Sequence, residues 1–366
     1  MSMRTLLFVL LLLLSLRLAA VEVLDSVDKP AVHKRELSKV RKTIRGFDRL
    51  NTEYIEPQHY NYTVMLQLTN TYENFILGSR NQSIWLAPDN RLKVGPYVGW
   101  RWFFFGYTFD LKNLGFDHGK LRKEFDLSIY SSQVGVDLFY RRTGKDYKLR
   151  EARLGADIDV DALIGMPFDG ISVGITGLNA YYIFNHGRFS YPAAFSQSTC
   201  QRASCGSWMA GAGYARNTLD MDFDKLKDMV EKNAKSSSVV KLDSGLMFSD
   251  IDYSDISLSG GYAYNWVFAK DWLFCASGQL ALAYKTSHGK AKEEGFSFDF
   301  ENVNLDGIGR FGLVYNNTRW YAGLSAIVHT NNYHTDRFSA NNVFGSMNAY
   351  MGFNFGLKKK YRNKSK

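Results

Sequence analysis

The 366-residue chain is poor in cysteine, with three, and in proline, with six. So few cysteines cannot supply a disulfide-built scaffold. Cys200 and Cys205 are spaced to close a small loop in an oxidising compartment, but spacing does not fix the geometry of such a bond. Cys275 reads as a buried thiol. No Cys or His spacing fits a zinc site, and no cofactor is expected. Also missing is any apolar run near the roughly 20 residues that a transmembrane helix needs. With a mean hydropathy of −0.25, that absence excludes a helical membrane protein.

What the chain does have is aromatic and small: 26 Phe, 22 Tyr, 7 Trp and 31 Gly. This composition favours one large β structure. Met1 to Ala20 combines Arg4, a short apolar run from Leu6 to Leu14 and a small-residue exit, the parts of a secretory signal peptide with cleavage after Ala20. The net charge of +9 sits at the two ends. Residues 28–49 hold eight basic and three acidic groups, and residues 358–366 hold six basic groups and no acid. The body between them is nearly neutral, so this basicity does not signal nucleic-acid binding, and no motif for it is present.

Leu37, Val40, Ile44 and Phe47 recur at helical spacing and predict an amphipathic helix over about 28–50. After Asn51 the period becomes two. Tyr62, Val64, Leu66 and Leu68 share one face of a strand over 60–77. Val98, Trp100, Trp102 and Phe104 do so over 94–111. In a third strand, 125–141, the apolar parity shifts near Ser131-Ser132 and predicts a bulge. Strands follow at 171–184 and 208–216, then around Ile256–Phe268, Trp272–Tyr284, Phe311–Tyr315, Trp320–Val328 and Met347–Phe355. One face is apolar and the other is Gly, Ser, Asn and Gln, the alternation of a barrel with a polar interior. Many of these strands run well past the soluble mean of about 5 to 6 residues. Aromatics such as Trp266, Phe268, Trp272 and Trp320 gather near strand ends, as in an interfacial girdle. Very short connections at 269–271 and 316–318 alternate with long ones at 217–255, 286–295 and 331–343. The expected architecture is therefore all-β: an antiparallel transmembrane β-barrel of about ten strands, or twelve should residues 185–206 hide a hairpin. Residues 222–234 predict a short helix in a long loop. The expected layout is a signal peptide (1–20), a periplasmic basic helix and linker (21–58), an outer-membrane barrel (59–357) and a basic tail (358–366), with both termini periplasmic.

Tyr54-Ile55-Glu56-Pro57, Tyr60 to Gln67, Gly95-Pro96-Tyr97, Trp100-Arg101-Trp102 and Gly106 to Asp110 resemble segments of a Gram-negative, Bacteroidota-type outer-membrane β-barrel family, domain of unknown function 4421. So do Phe139 to Gly144, Pro167 to Gly170 and Tyr191 to Ser198. The resemblance runs from about residue 45 to the C-terminus. It implies the barrel and its location and brings no assigned catalytic or ligand residues.

Parity sends four charges inward: Arg101, Asp137, Arg141 and Arg310. Charge inside such a barrel is paired or wetted. These residues form either a constriction that selects small solutes or an ion-pair network that plugs a narrow bore. The expected role is a non-enzymatic narrow channel or a structural and binding barrel. The alternative is an outer-membrane lipid-modifying enzyme of acyl-hydrolase type. Its candidate pairs are Ser325 with His329 and Ser190 with His186; members four residues apart on one strand lie about 13 Å apart, beyond hydrogen-bond reach. The expected partners are outer-membrane lipids. Lys358, Lys359, Lys360 and Arg362, with the basic helix, are placed to meet anionic head groups or peptidoglycan carboxylates.

Overall fold

The computed structural model describes residues 50–362, apart from 80, 101–102, 107–108, 111–122, 144–145, 156–157, 234, 237–242, 244–247, 292–296 and 335–338. The expected signal peptide and amphipathic helix lie outside the described residues, as does Arg101.

The first half runs through β1 (Ile55–Pro57), β2 (Tyr60–Gly78), β3 (Ser83–Pro88), β4 (Arg91–Trp100), β5 (Phe103–Gly106), β6 (Phe109–Asp110), β7 (Lys123–Tyr130) and β8 (Val134–Arg142). Next come β9 (Tyr147–Arg153), β10 (Ile158–Asp159), β11 (Pro167–Phe168), β12 (Ile171–Ile183), α1 (Tyr191–Phe195), β13 (Thr199–Gln201) and β14 (Cys205–Met221). The rest comprises α2 (Phe223–Asn233), β15 (Lys235–Ser236), β16 (Phe248–Ala269), β17 (Trp272–Ala291), β18 (Ser297–Asn316), β19 (Trp320–His334), β20 (Ser339–Leu357) and α3 (Lys359–Arg362).

One antiparallel sheet dominates, in the order β7-β8-β12-β14-β16-β17-β18-β19-β20-β2-β4, with β5 and β6 beyond β4. β3 continues the line of β4 along the far part of β2 and pairs in turn with β9. The ends of the sheet, β5–β6 and β7, do not pair with each other among the described residues. The sheet is nevertheless strongly rolled. Asp137 on β8 ion-pairs with Arg310 on β18, five strands away along the sheet. Arg141 on β8 donates to the carbonyls of Tyr72 on β2 and Gly345 on β20, each at 3.4 Å. A flat sheet cannot make such contacts.

Alternation decides which side is which. On β16, Ile256, Leu258, Tyr262, Tyr264 and Trp266 face outward, with Leu258 70% exposed. Between them Asp255, Ser257, Ser259, Ala263 and Asn265 face inward and are buried. Inward aromatics lie across glycines of the next strand. A Cβ on Gly177 would stand 2.1 Å from the Phe139 ring, and one on Gly352 2.2 Å from that of Tyr321, so both positions need glycine for close approach.

Four expectations are corrected. The strand count exceeds ten: two predicted strands are hairpins, and β3, β9 and β11 are further strands of the main sheet. The 94–111 segment folds back, pairing Trp100 with Phe103 and Tyr97 with Gly106. The 125–141 segment turns at Ser131–Gln133, so the parity shift marks a turn and not a bulge. There the Ser131 hydroxyl accepts from the amides of Gln133 and Val134 at 3.3 and 2.9 Å, a side-chain-built turn. Residues 185–206 hide no wall hairpin; they fold as α1 and β13. Where described, and apart from α2, the predicted long loops are largely strand, since β14, β16 and β17 extend beyond the apolar band with polar outward residues such as the Arg216–Asp252 ion pair. The helix expected at 222–234 is α2.

Candidate functional site

The rolled sheet encloses a filled interior with three levels. At the end carrying the short turns, the β12–β14 connection turns inward as a plug. Ser190 caps α1, its hydroxyl accepting from the Ala193 amide at 3.2 Å, and proline in the first turn presets the helix. Ala193 and Ala194 are buried against Leu273, Cys275 and Val314 of the wall. Tyr191 reaches the Ser277 hydroxyl, and its ring packs near Tyr130 and Tyr181. Gln197 donates to the Tyr350 hydroxyl at 2.6 Å. Gln201 accepts from the Ser190 amide and from Asn265, at 2.9 and 3.0 Å. Beneath the plug, β1 pairs with β13, and Arg202 bridges to Glu56 and Asp271.

The middle level is ionic. Arg310, fully buried, pairs with Asp137, which also accepts from the Ser128 hydroxyl at 2.6 Å. The Arg310 guanidinium lies 4.9 Å from the centre of the Tyr181 ring, and that of Arg141 lies 5.0 Å from the Phe344 ring. A second pair joins Lys285 to Asp306 at 2.9 Å, with Lys285 also donating to the Asn332 carbonyl at 2.9 Å. At the far end an apolar core closes the interior. Phe75, Leu77, Leu86, Tyr147, Leu149 and Phe168 pack there beneath Leu226 and Val230 of α2.

Small cavities lie among these residues. One of about 40 Å³ is lined by Asp255, Asp306, His329 and Asn331 among others. One of about 20 Å³ lies between Gln58, Gln197 and Tyr321. Each holds a few waters at most, since one water needs roughly 10–15 Å³ on this measure.

Of the four charges that parity sends inward, three lie in the interior: Asp137 and Arg310 bonded together, and Arg141 against Phe344. Arg101 lies outside the described residues. Lys285 and Asp306 escaped sequence reasoning, although parity would have found them had the seventh and eighth strands been extended past Tyr284 and back before Phe311. The enzymatic pairs have other occupations. The His329 ring stacks on Phe344 at 5.1 Å, while Ser325 accepts from Asn348 at 3.4 Å. His186 contacts the Ile183 carbonyl, and Ser190 serves as the cap. No group of three His, Cys, Asp or Glu side chains able to hold a metal converges among the described residues.

The disulfide option is also corrected: Cys200, Cys205 and Cys275 are all free. Burial pushes the Cys200 thiol up to about 12, with Arg202 opposing. The folded protein should therefore react with maleimide at Cys205 alone, with no gain at Cys200 between pH 7 and 9. All three thiols should react after denaturation. Three modified thiols in the folded state would contradict the plug packing.

A family model described as Domain of unknown function (DUF4421) matches residues 49–355. No curated protein matches the chain. Among solved structures, the outer-membrane protease OmpT from Escherichia coli is 8% identical, with a TM-score of 0.36 over 83% of this chain and 100% of that one. The translocator domain of the autotransporter NalP from Neisseria meningitidis is 9% identical, with a TM-score of 0.33 over 88% and 96%. The outer-membrane protein OprG from Pseudomonas aeruginosa is 8% identical, with a TM-score of 0.23 over 82% and 99%. Likeness at this level says nothing of activity.

Proposed function

The chain belongs to the DUF4421 family, and we propose that it is an outer-membrane β-barrel with a closed lumen, a structural or binding component that neither conducts nor catalyses. The outward apolar surface supports the membrane reading. From Ile256 to Trp266 the strand rises about 33 Å, and at a tilt near 45° this spans about 23 Å, close to the roughly 25 Å band of such barrels. At the short-turn end an aromatic belt bounds that band, through contacts of Trp266 with Phe268, Phe268 with Trp272, Trp272 with Tyr315 and Trp320 with Phe353. The other edge falls where Ile256 gives way to Ser254 and Asp252. Twelve wall strands form the ring in this reading: β7, β8, β12, β14, β16 to β20, β2, the β3–β4 line and the β5–β6 line. Lipid leaves no partner for an open edge, so in this reading the β5–β6 line and β7 are the two edges that close the ring. The belt end faces the periplasm.

The observation that carries the closed lumen is its filling at every level: plug, ion pairs and apolar core. Reconstituted into planar bilayers, the purified barrel should leave the baseline flat. Reproducible unitary current steps would overturn the reading. Electrophoresis with and without boiling checks that the reconstituted protein is folded, since an intact barrel migrates differently from its heated form.

A further inference from the structure

The charges beside the aromatic belt are unevenly matched. The described connections at this end carry eight Arg and Lys residues, Arg188, Arg202, Lys270, Arg319, Lys358, Lys359, Lys360 and Arg362, against the acids Glu53, Glu56 and Asp271. Two of those acids, Glu56 and Asp271, are already held by Arg202. Arg188, Lys270, Arg319, Lys359, Lys360 and Arg362 are exposed. The Arg319 guanidinium lies 5.3 Å from the centre of Phe353, a ring that itself packs on Trp320. Tyr361 packs against His59 at 4.1 Å, and the Lys358 amide donates to the His59 carbonyl at 2.9 Å, which ties α3 to the base of β2. Lys359, Lys360 and Arg362 therefore follow directly on the end of β20 that carries Phe355, whose ring stacks on Tyr62 at 5.4 Å on the outer surface. Arg362 is further anchored by donating to the Leu357 carbonyl at 3.1 Å.

We propose that this rim, Arg319 with Lys359, Lys360 and Arg362, binds the phosphates of anionic phospholipids in the leaflet at the belt end. The inference rests on the membrane reading above. Aromatic belts sit at head-group level, so cations standing on one meet lipid phosphate without leaving the surface. Arginine suits the task through its planar, multi-donor head. The tail and rim are fastened to the wall, so little ordering accompanies binding.

The test uses the full chain in nanodiscs of phosphatidylcholine containing a minority of phosphatidylglycerol, with the lipids retained on the protein read by native mass spectrometry. Wild type should enrich phosphatidylglycerol. Each basic group near an anionic surface is worth about fivefold in binding, so R319Q/K359Q/K360Q/R362Q should lose most of the enrichment. Sodium chloride at about 1 M, where the screening length falls to about 3 Å, should erase it in wild type without any mutation. Equal lipid ratios for wild type and variant overturn the proposal, as does enrichment that survives the salt. A variant that loses binding to purified peptidoglycan sacculi while keeping its lipid ratio also overturns it, by assigning the rim to the cell wall. Failure to enter nanodiscs or to show the heat-dependent gel shift would instead refute the membrane reading.

Discussion

Asp137→Ala, with Arg310 left in place, should lower the stability of the folded barrel by about 3–5 kcal/mol, the usual result of stranding one member of a buried ion pair. Arg310 has no exposure to water. Among its neighbours near the pair is the Tyr181 ring, which offsets only part of the lost carboxylate. The double change Asp137→Leu with Arg310→Met should recover most of that loss, because a buried pair contributes little net stability against an apolar pair of similar volume. Urea unfolding of the detergent- or lipid-reconstituted protein measures both. A single variant within about 0.5 kcal/mol of wild type would mean that the guanidinium finds water, and the interior would not be closed at this level.

A second large effect is expected on the opposite face. Leu258→Arg and Leu280→Arg should each destabilise the lipid-inserted protein by about 2–4 kcal/mol, while Trp266→Arg, at the belt, should cost about 0–1 kcal/mol. Leu258 and Leu280 are 70% and 62% exposed, so in a water-soluble protein charging them would be nearly neutral. The depth dependence is what only a bilayer produces. Three equal, small effects would remove the lipid-facing assignment and with it the membrane location.

The outer surface was largely legible in the sequence because it obeys one strict rule. Residues such as Tyr62, Leu66, Ile256, Leu282 and Met351 must be apolar wherever lipid lies, so the period-two signal is strong there. It fades outside the band. Thr218, Asp252 and Thr286 sit in paired strand beyond it, but polar faces on both sides read as loop. Hairpins were harder. A one-residue shift of parity near Ser131 is the same string whether the strand bulges or reverses, and only the Ser131 hydrogen bonds decide. The interior charges were readable one strand at a time, whereas the partner of each was not: Asp137 and Arg310 are 173 residues apart, and nothing local couples them. The Tyr191–Ser198 segment stood out in sequence, yet its inward course depends on fitting Tyr191, Gln197 and Gln201 against five different wall strands, information that no single stretch contains.

The three-residue strand β1 does not join the wall. It pairs with β13, the Asn51 amide reaches the Gly187 carbonyl at 2.8 Å, and Arg202 ties both to Asp271. Mechanical load applied at Asn51 is therefore delivered to the stopper before it reaches the cylinder around it. Asn51 is a handle on the cork.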